Sequence, residues 1–180
     1  MRANKSSGFT LIELIVVVAL IAILATWAVP SFSQLMARNA LDRQTDRLWQ
    51  AISAMRLEAA ERRTTVHLCP TKDGAVCSDD WQDKLMLFVD PDGNGTFSES
   101  AGDTMIRQYP ASNSAITITS NSSNHDGGFS YQPDGFTAEI GTFELCHPQL
   151  DKSDARQIVI SQGRMRRDTG DEDSCQPQQS

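Results

Sequence analysis

The sequence predicts an α+β fold in which one long N-terminal helix packs on a β-sheet globular head. Residues 9–29 are an apolar run interrupted by one charge, Glu13. Apolar residues then recur at spacings of three and four from Leu41 to Ala59, and from Thr64 onward short alternating segments are divided by Gly, Pro, Asn and Asp. A chain of 180 residues has room for one domain with a real core plus an anchor.

Residues 1–8 form a short basic leader. Arg2 and Lys5 precede any acid, so the positive-inside bias keeps the leader cytoplasmic and sends the rest of the chain across the membrane. At ~1.5 Å per residue, residues 9–29 make a helix of about 30 Å, enough to span a bilayer core. A secretory signal peptide fits poorly, because the run is too long and no small-residue cleavage site closes it. Glu13 is expensive inside a membrane unless it is paired, so it marks function. Pro30 is expected to kink the helix or end its membrane-embedded half.

Helical periodicity resumes at once over 30–63. Leu41, Thr45, Leu48, Ile52, Met55 and Ala59 form a stripe with Trp49 beside it, while Arg38, Asp42, Arg43, Asp46, Arg47, Arg56, Glu58, Glu61 and Arg62 fill the other faces. This amphipathic second half should bury its stripe against a sheet, so the helix runs from Phe9 to about Arg62. The head, 64–180, reads as strands at 64–69, 84–90, 104–109, 115–119, 128–132, 135–140, 142–147 and 156–161. Pro91-Asp92-Gly93-Asn94-Gly95, Gly127-Gly128 and Pro133-Asp134-Gly135 supply turns between them. The Ser/Asn-rich stretch 112–124 reads as one edge strand followed by a loop. No internal repeat is found.

Four cysteines outside the cytoplasm point to disulfides, with three possible connectivities. Cys69 with Cys77 would close a local loop, and Cys146 with Cys175 would pin the C-terminal tail to the sheet. Zinc is disfavoured: His67 and His147 lie close to Cys69 and Cys146, but without the usual ligand spacing. Asp90, Asp92, Asn94 and Gly95 imitate the start of a calcium loop, yet Ala101 stands where a bidentate Glu is required and Glu99 comes two residues early. A turn is therefore the preferred reading, with no metal and no cofactor. His125 has no evident partner, and the sequons at Asn94 and Asn121 carry little weight. No nucleophile–base motif and no phosphate-binding Gly loop suggests an enzyme.

The formal charge is −7. Without the leader the chain has 14 basic and 23 acidic residues, net −9. Residues 38–63 carry net +2 and the head net −10. Such acidity argues against nucleic acid, whose affinity comes largely from Lys and Arg. Within the head, however, half of the eight basic residues lie between Arg156 and Arg167, a stretch without any acid. If the last strand continues past Gly163, Arg164 and Arg166 share a face and Arg167 opposes them; if Gly163 opens a loop, all three can project together. Three Arg would neutralise about three phosphates, weakly and with strong salt dependence. Alternatively, the segment is a solvated strand end balanced by Asp168, Asp171, Glu172 and Asp173.

Gly8-Phe9-Thr10-Leu11-Ile12-Glu13 resembles the leader junction of type IV pilins and pseudopilins. The resemblance implies cleavage after Gly8 by a prepilin peptidase, N-methylation of Phe9, and pairing of Glu13 with the N-terminal amine of a neighbouring subunit in the filament. It also implies an inner-membrane single-pass protein with a periplasmic head, assembled later into an extracellular type IV pilus with other major and minor pilins. The Leu-Phe-Val-Asp strand running into a Gly/Asn turn (Leu87 to Gly95), the long β-rich head, and the closing Ile-Val-Ile-Ser-x-x-Gly-Arg segment (Ile158 to Arg164) resemble the GspH/FimT group of minor pilins. Gly163-Arg164-x-Arg166-Arg167 is similar to the motif by which competence-associated FimT minor pilins bind DNA during natural transformation. The resemblance implies backbone, non-sequence-specific contacts by Arg164, Arg166 and Arg167, helped by Lys152 and Arg156. The alternative it leaves is a minor pilin or GspH-like secretion pseudopilin that acts in filament assembly without DNA.

Overall fold

The computed structural model describes residues 10–121, 128–137, 139–171 and 173–175. Gly8 and Phe9, together with His125, lie outside the described residues. The chain divides into two compact units, Met1–Met36 and Ala37–Ser180, with the boundary inside one helix, α1 (Leu11–Arg62). Thr10 caps the helix: its Oγ1 accepts the Glu13 N–H at 3.3 Å, satisfying one of the donors left free in a first turn. Arg63 ends it in the left-handed conformation, φ 55°.

In the first unit, Leu11 to Leu24 present exposed apolar side chains. The helix is long and apolar enough to cross a membrane. The helix does not stop at Pro30, because residue 30 lies within α1. Loss of a single backbone donor leaves the remaining rungs of a 52-residue helix in place.

In the second unit the helical stripe is buried as its spacing requires. Leu41, Thr45, Leu48, Ile52, Met55 and Ala59 are all buried, joined by Ala37 and Ala51. Thr45 satisfies its hydroxyl within the helix, donating to the Leu41 carbonyl at 2.9 Å. Arg47 is half-buried and donates to the Asp83 carbonyl at 3.4 Å; burial lowers its pKa.

Eight strands follow among the described residues: β1 (Val66–Thr71), β2 (Lys84–Val89), β3 (Thr104–Tyr109), β4 (Thr117–Ser120), β5 (Phe129–Tyr131), β6 (Gly141–Cys146), β7 (Arg156–Ser161) and β8 (Arg164–Thr169). They form two antiparallel sheets, ordered β3-β2-β1-β5 and β4-β6-β7-β8. The helical stripe shares one core with Leu68, Leu85 and Leu87 of the first sheet and with Ile118, Leu145, Ile158 and Ile160 of the second. Trp81 sits among these, edge-on to Phe143 of β6 at 4.5 Å and to Phe129 of β5 at 5.9 Å, and so joins the two sheets. Disulfides link Cys69 to Cys77 and Cys146 to Cys175. The second closes 29 residues, a loop whose closure entropy corresponds to about 3–4 kcal/mol.

One strand expectation is corrected and one open alternative is resolved. None of the described residues in 135–140 belongs to a strand. Asp134 Oδ1 accepts the Phe136 N–H at 2.9 Å and Gly135 takes φ 77°, so local side-chain and turn bonding replaces a ladder there. Conversely, the basic segment is itself a strand, β8, at the edge of the second sheet. It pairs with β7 through a two-residue turn in which Gln162 (φ 50°) and Gly163 (φ 79°) are both left-handed, the hairpin geometry that matches strand twist.

Gly163 is required twice over. A Cβ there would lie 2.3 Å from the Gly135 carbonyl oxygen and 3.3 Å from the Phe136 Cα. Gly163→Ala is therefore expected to destabilise the head by about 2 kcal/mol or more, combining left-handed strain with a backbone clash. Ile52→Ala, which empties the centre of the shared core, should cost about 2–5 kcal/mol. Urea unfolding of residues 37–180 measures both.

Candidate nucleic-acid interface

Strand alternation divides the basic triplet. Met165, Arg167 and Thr169 lie on the face of β8 towards α1, and Arg164, Arg166 and Asp168 on the opposite face. The structure combines the two geometries open to the sequence: the chain turns at Gly163, and the strand that follows keeps Arg164 and Arg166 on one face with Arg167 opposed. Arg167 is committed inward: its guanidinium pairs with Asp46 at 2.7 Å and lies 4.6 Å over the Trp49 ring. Arg156 pairs with Asp42 at 2.8 Å and donates to the Asp154 carbonyl at 2.6 Å. Arg38 completes the series, pairing with Asp154 at 3.0 Å. Arg38, Asp42 and Asp46 fall four residues apart on one helical row, so the helix supplies a matched line of charges to β7 and β8.

What remains outward is smaller than the sequence cluster. Arg166 is exposed and pairs with its own strand neighbour Asp168 at 2.7 Å. Arg164 is exposed and makes no ion pair among the described residues. Both line an open groove with Phe136, Val159, Ser161 and Gln162. Register places Ser161 opposite Arg164 and Val159 opposite Arg166. Phe136 is 43% exposed and offers an aromatic face beside two guanidinium groups, a combination suited to a phosphate with an adjacent base or sugar. Sequence reasoning placed Phe136 in a strand and gave it no role. The close approach of Gly135 to Gly163 brings it here.

The turn is held from below by Tyr131, whose hydroxyl donates to the Gly163 carbonyl at 3.4 Å. Burial raises the Tyr131 pKa, the Glu139 charge adds to that, and the Arg56 charge opposes it. The phenol is thus kept as a donor to the turn.

Arg156 and Lys152 do not join Arg164 and Arg166. Arg156 pairs with Thr169 at the far end of the β7–β8 hairpin and points to the helix side. Lys152, in a short 3-10 turn (Lys152–Asp154), lines a separate groove with Thr117, Thr119, His147 and Cys175. In the other unit, Glu13 is exposed in the first turn of α1 and has no ion pair among the described residues. The bonded cysteines are unavailable as zinc ligands, including those beside His67 and Glu144.

Comparison with known proteins gives the family. Residues 44–163 match the family described as Type II transport protein GspH, and residues 3–29 match the prokaryotic N-terminal methylation motif. The chain is 34% identical over 98 residues to fimbrial protein EcpB of Eikenella corrodens, covering 54% of this chain and 61% of that one. It is 33% identical over 86 residues to type IV major fimbrial protein FimA of Dichelobacter nodosus, covering 47% and 48%. The chain thus spans about half to three fifths of the length of these curated relatives. Among solved structures, type IV minor pilin FimU of Pseudomonas aeruginosa is similar with a TM-score of 0.58 and 20% identity, covering 77% of this chain and 97% of that one. One helix leading into antiparallel sheets, a methylation motif and a family match across most of the head together establish that the chain belongs to the GspH family and has the fold of a type IV minor pilin.

Proposed function

We propose that this protein is a minor subunit of a type IV pilus that binds the backbone of extracellular DNA during uptake in natural transformation. The observation that carries the DNA reading is the outward pair Arg164 and Arg166 on an edge strand beside Phe136. Closeness to competence-associated FimT pilins rests on the Gly163-to-Arg167 motif. In this reading a prepilin peptidase removes residues 1–8 after Gly8 and methylates Phe9. Residues 9–29 hold the subunit in the inner membrane and then in the filament core. Residues 30–63 and the head 64–180 stand outside. Glu13 meets the amine of a neighbouring subunit, because an unpaired buried charge is costly and pairing therefore checks register.

Two outward Arg neutralise about two phosphates, so the logarithmic salt slope of binding should be about −2 rather than about −3. Arg167 contributes to DNA binding only indirectly, because it is held by Asp46 and Trp49.

A second reading has an observation of its own. Arg156 and Arg167 spend their charge on Asp42 and Asp46, and Asp168 faces Arg166, which leaves a modest surplus for any polyanion. The subunit would then act in filament assembly alone, as a minor pilin or secretion pseudopilin.

Filter binding of the mature chain in detergent to a short duplex at low salt separates the two. The DNA reading expects the Arg164→Gln/Arg166→Gln double variant to bind at least tenfold more weakly, with Arg167→Gln affected less. Equal binding by wild type and the double variant would leave the assembly reading. Glu13→Ala should block incorporation into filaments under either reading, which immunodetection in sheared pili checks.

A further inference from the structure

The loop between β2 and β3 carries a cluster that the pilus function does not use. Asp90, Asp92 and Asp103 bring carboxylate oxygens within 4.8 Å of one another. Asp90 is 1% exposed and Asp103 5% exposed. Two carboxylates are thus buried side by side with a third at the rim, and among the described residues none of the three forms an ion pair. The loop amides serve Asp90: Gly93 and Asn94 donate to its Oδ1 at 2.9 and 3.2 Å, and Gly95 to its Oδ2 at 2.9 Å. Asp103 Oδ2 accepts the Ser98 N–H at 2.7 Å. Its other oxygen, Oδ1, is fully buried and has no hydrogen-bond partner among the described residues.

A buried carboxylate oxygen without a partner among the described residues, beside two further carboxylates, favours a bound positive charge. We propose that Asp90, Asp92 and Asp103 form a calcium site that fixes the β2–β3 loop. Oxygens no farther apart than 4.8 Å are close enough to share one ion that takes its ligands at about 2.4 Å. Three carboxylates on a Gly- and Asn-rich loop suit calcium, which accepts six to eight oxygens in adaptable geometry; magnesium typically uses one or two carboxylates and retains its waters. The loop is anchored on its other side, where Phe97 packs edge-on against Phe88 at 5.3 Å and the Cys77 disulfide sulfur lies 3.8 Å from the Gly95 carbonyl oxygen. Three carboxylates held this close, two of them buried, gain from a cation that replaces repulsion with coordination. The twelve-residue template fails here because it seeks the last ligand at Ala101, whereas the chain supplies it two residues later, after a 3-10 turn (Glu99–Ala101) and Gly102 at φ 95°.

The test is calorimetric titration of the chelator-stripped full chain in detergent with CaCl2 and, separately, MgCl2, alongside thermal melting. One calcium should bind per chain with a Kd of about 1 mM or tighter, the range of extracellular modules, and the melting temperature should rise with calcium. Asp103→Asn should weaken binding at least tenfold. Asp92→Asn, at an exposed position that leaves the fold intact, should weaken it severalfold, and Asp79→Asn, outside the cluster, should leave it unchanged. Absence of both binding heat and a melting shift up to ~10 mM calcium, or equal affinity in wild type and Asp92→Asn, would overturn the site. Equal affinity for magnesium would overturn its assignment to calcium.

Discussion

Burial of one helical stripe, Leu41 to Ala59, is the contact on which both sheets depend. Among the described residues each sheet has four short strands, three to six residues long, too small to enclose a core alone. The second half of α1 provides the shared wall, and Trp81 with Phe129 and Phe143 closes the space between the sheets. The stripe is apolar except for Thr45, which satisfies its hydroxyl within the helix. Position of every head strand, including the basic edge, follows from where this helix lies beneath it.

The same helix decides which arginines remain available. Asp42 and Asp46 are on the row that meets β7 and β8, and they take Arg156 and Arg167. Exposed pairs of this kind contribute about 1 kcal/mol or less each, so their importance is less in stability than in direction. They hold two guanidinium groups against the helix and leave Arg164 and Arg166 outward. An acidic head can therefore still carry a basic edge, but one of two residues with Asp168 close by. Under the proposed DNA reading, bulk charge limits affinity and strand parity sets the footprint.

Much of the fold was legible because it rests on periodicity. The stripe from Leu41 to Ala59 and the alternation in most strands are direct consequences of burying one face. Strand β8 was legible only as one of two alternatives, because Arg-Met-Arg-Arg-Asp-Thr has only one apolar residue with which to reveal its parity. Residues 135–140 alternate convincingly, yet the Asp134–Gly135 turn redirects their backbone bonding. At the candidate site, Arg164, Arg166 and the need for Gly at 163 could be read in advance. The ties from Arg156 to Asp42 and from Arg167 to Asp46 join residues 114 and 121 positions apart, which no local pattern encodes. Asp103 was missed for a related reason: its relation to Asp90 is made by a loop conformation, not by a fixed spacing.

The central claim is that strand geometry splits the basic triplet into an outward pair and an inward, structural arginine. Arginine side-chain NMR during titration of the head with a short DNA duplex reads this directly, since each guanidinium Nε–H reports its own environment. The account predicts progressive shifts for Arg164 and Arg166 while Arg167, held by Asp46 and Trp49, stays where it is. Equal shifts at all three, or movement of Arg167 first, would contradict it.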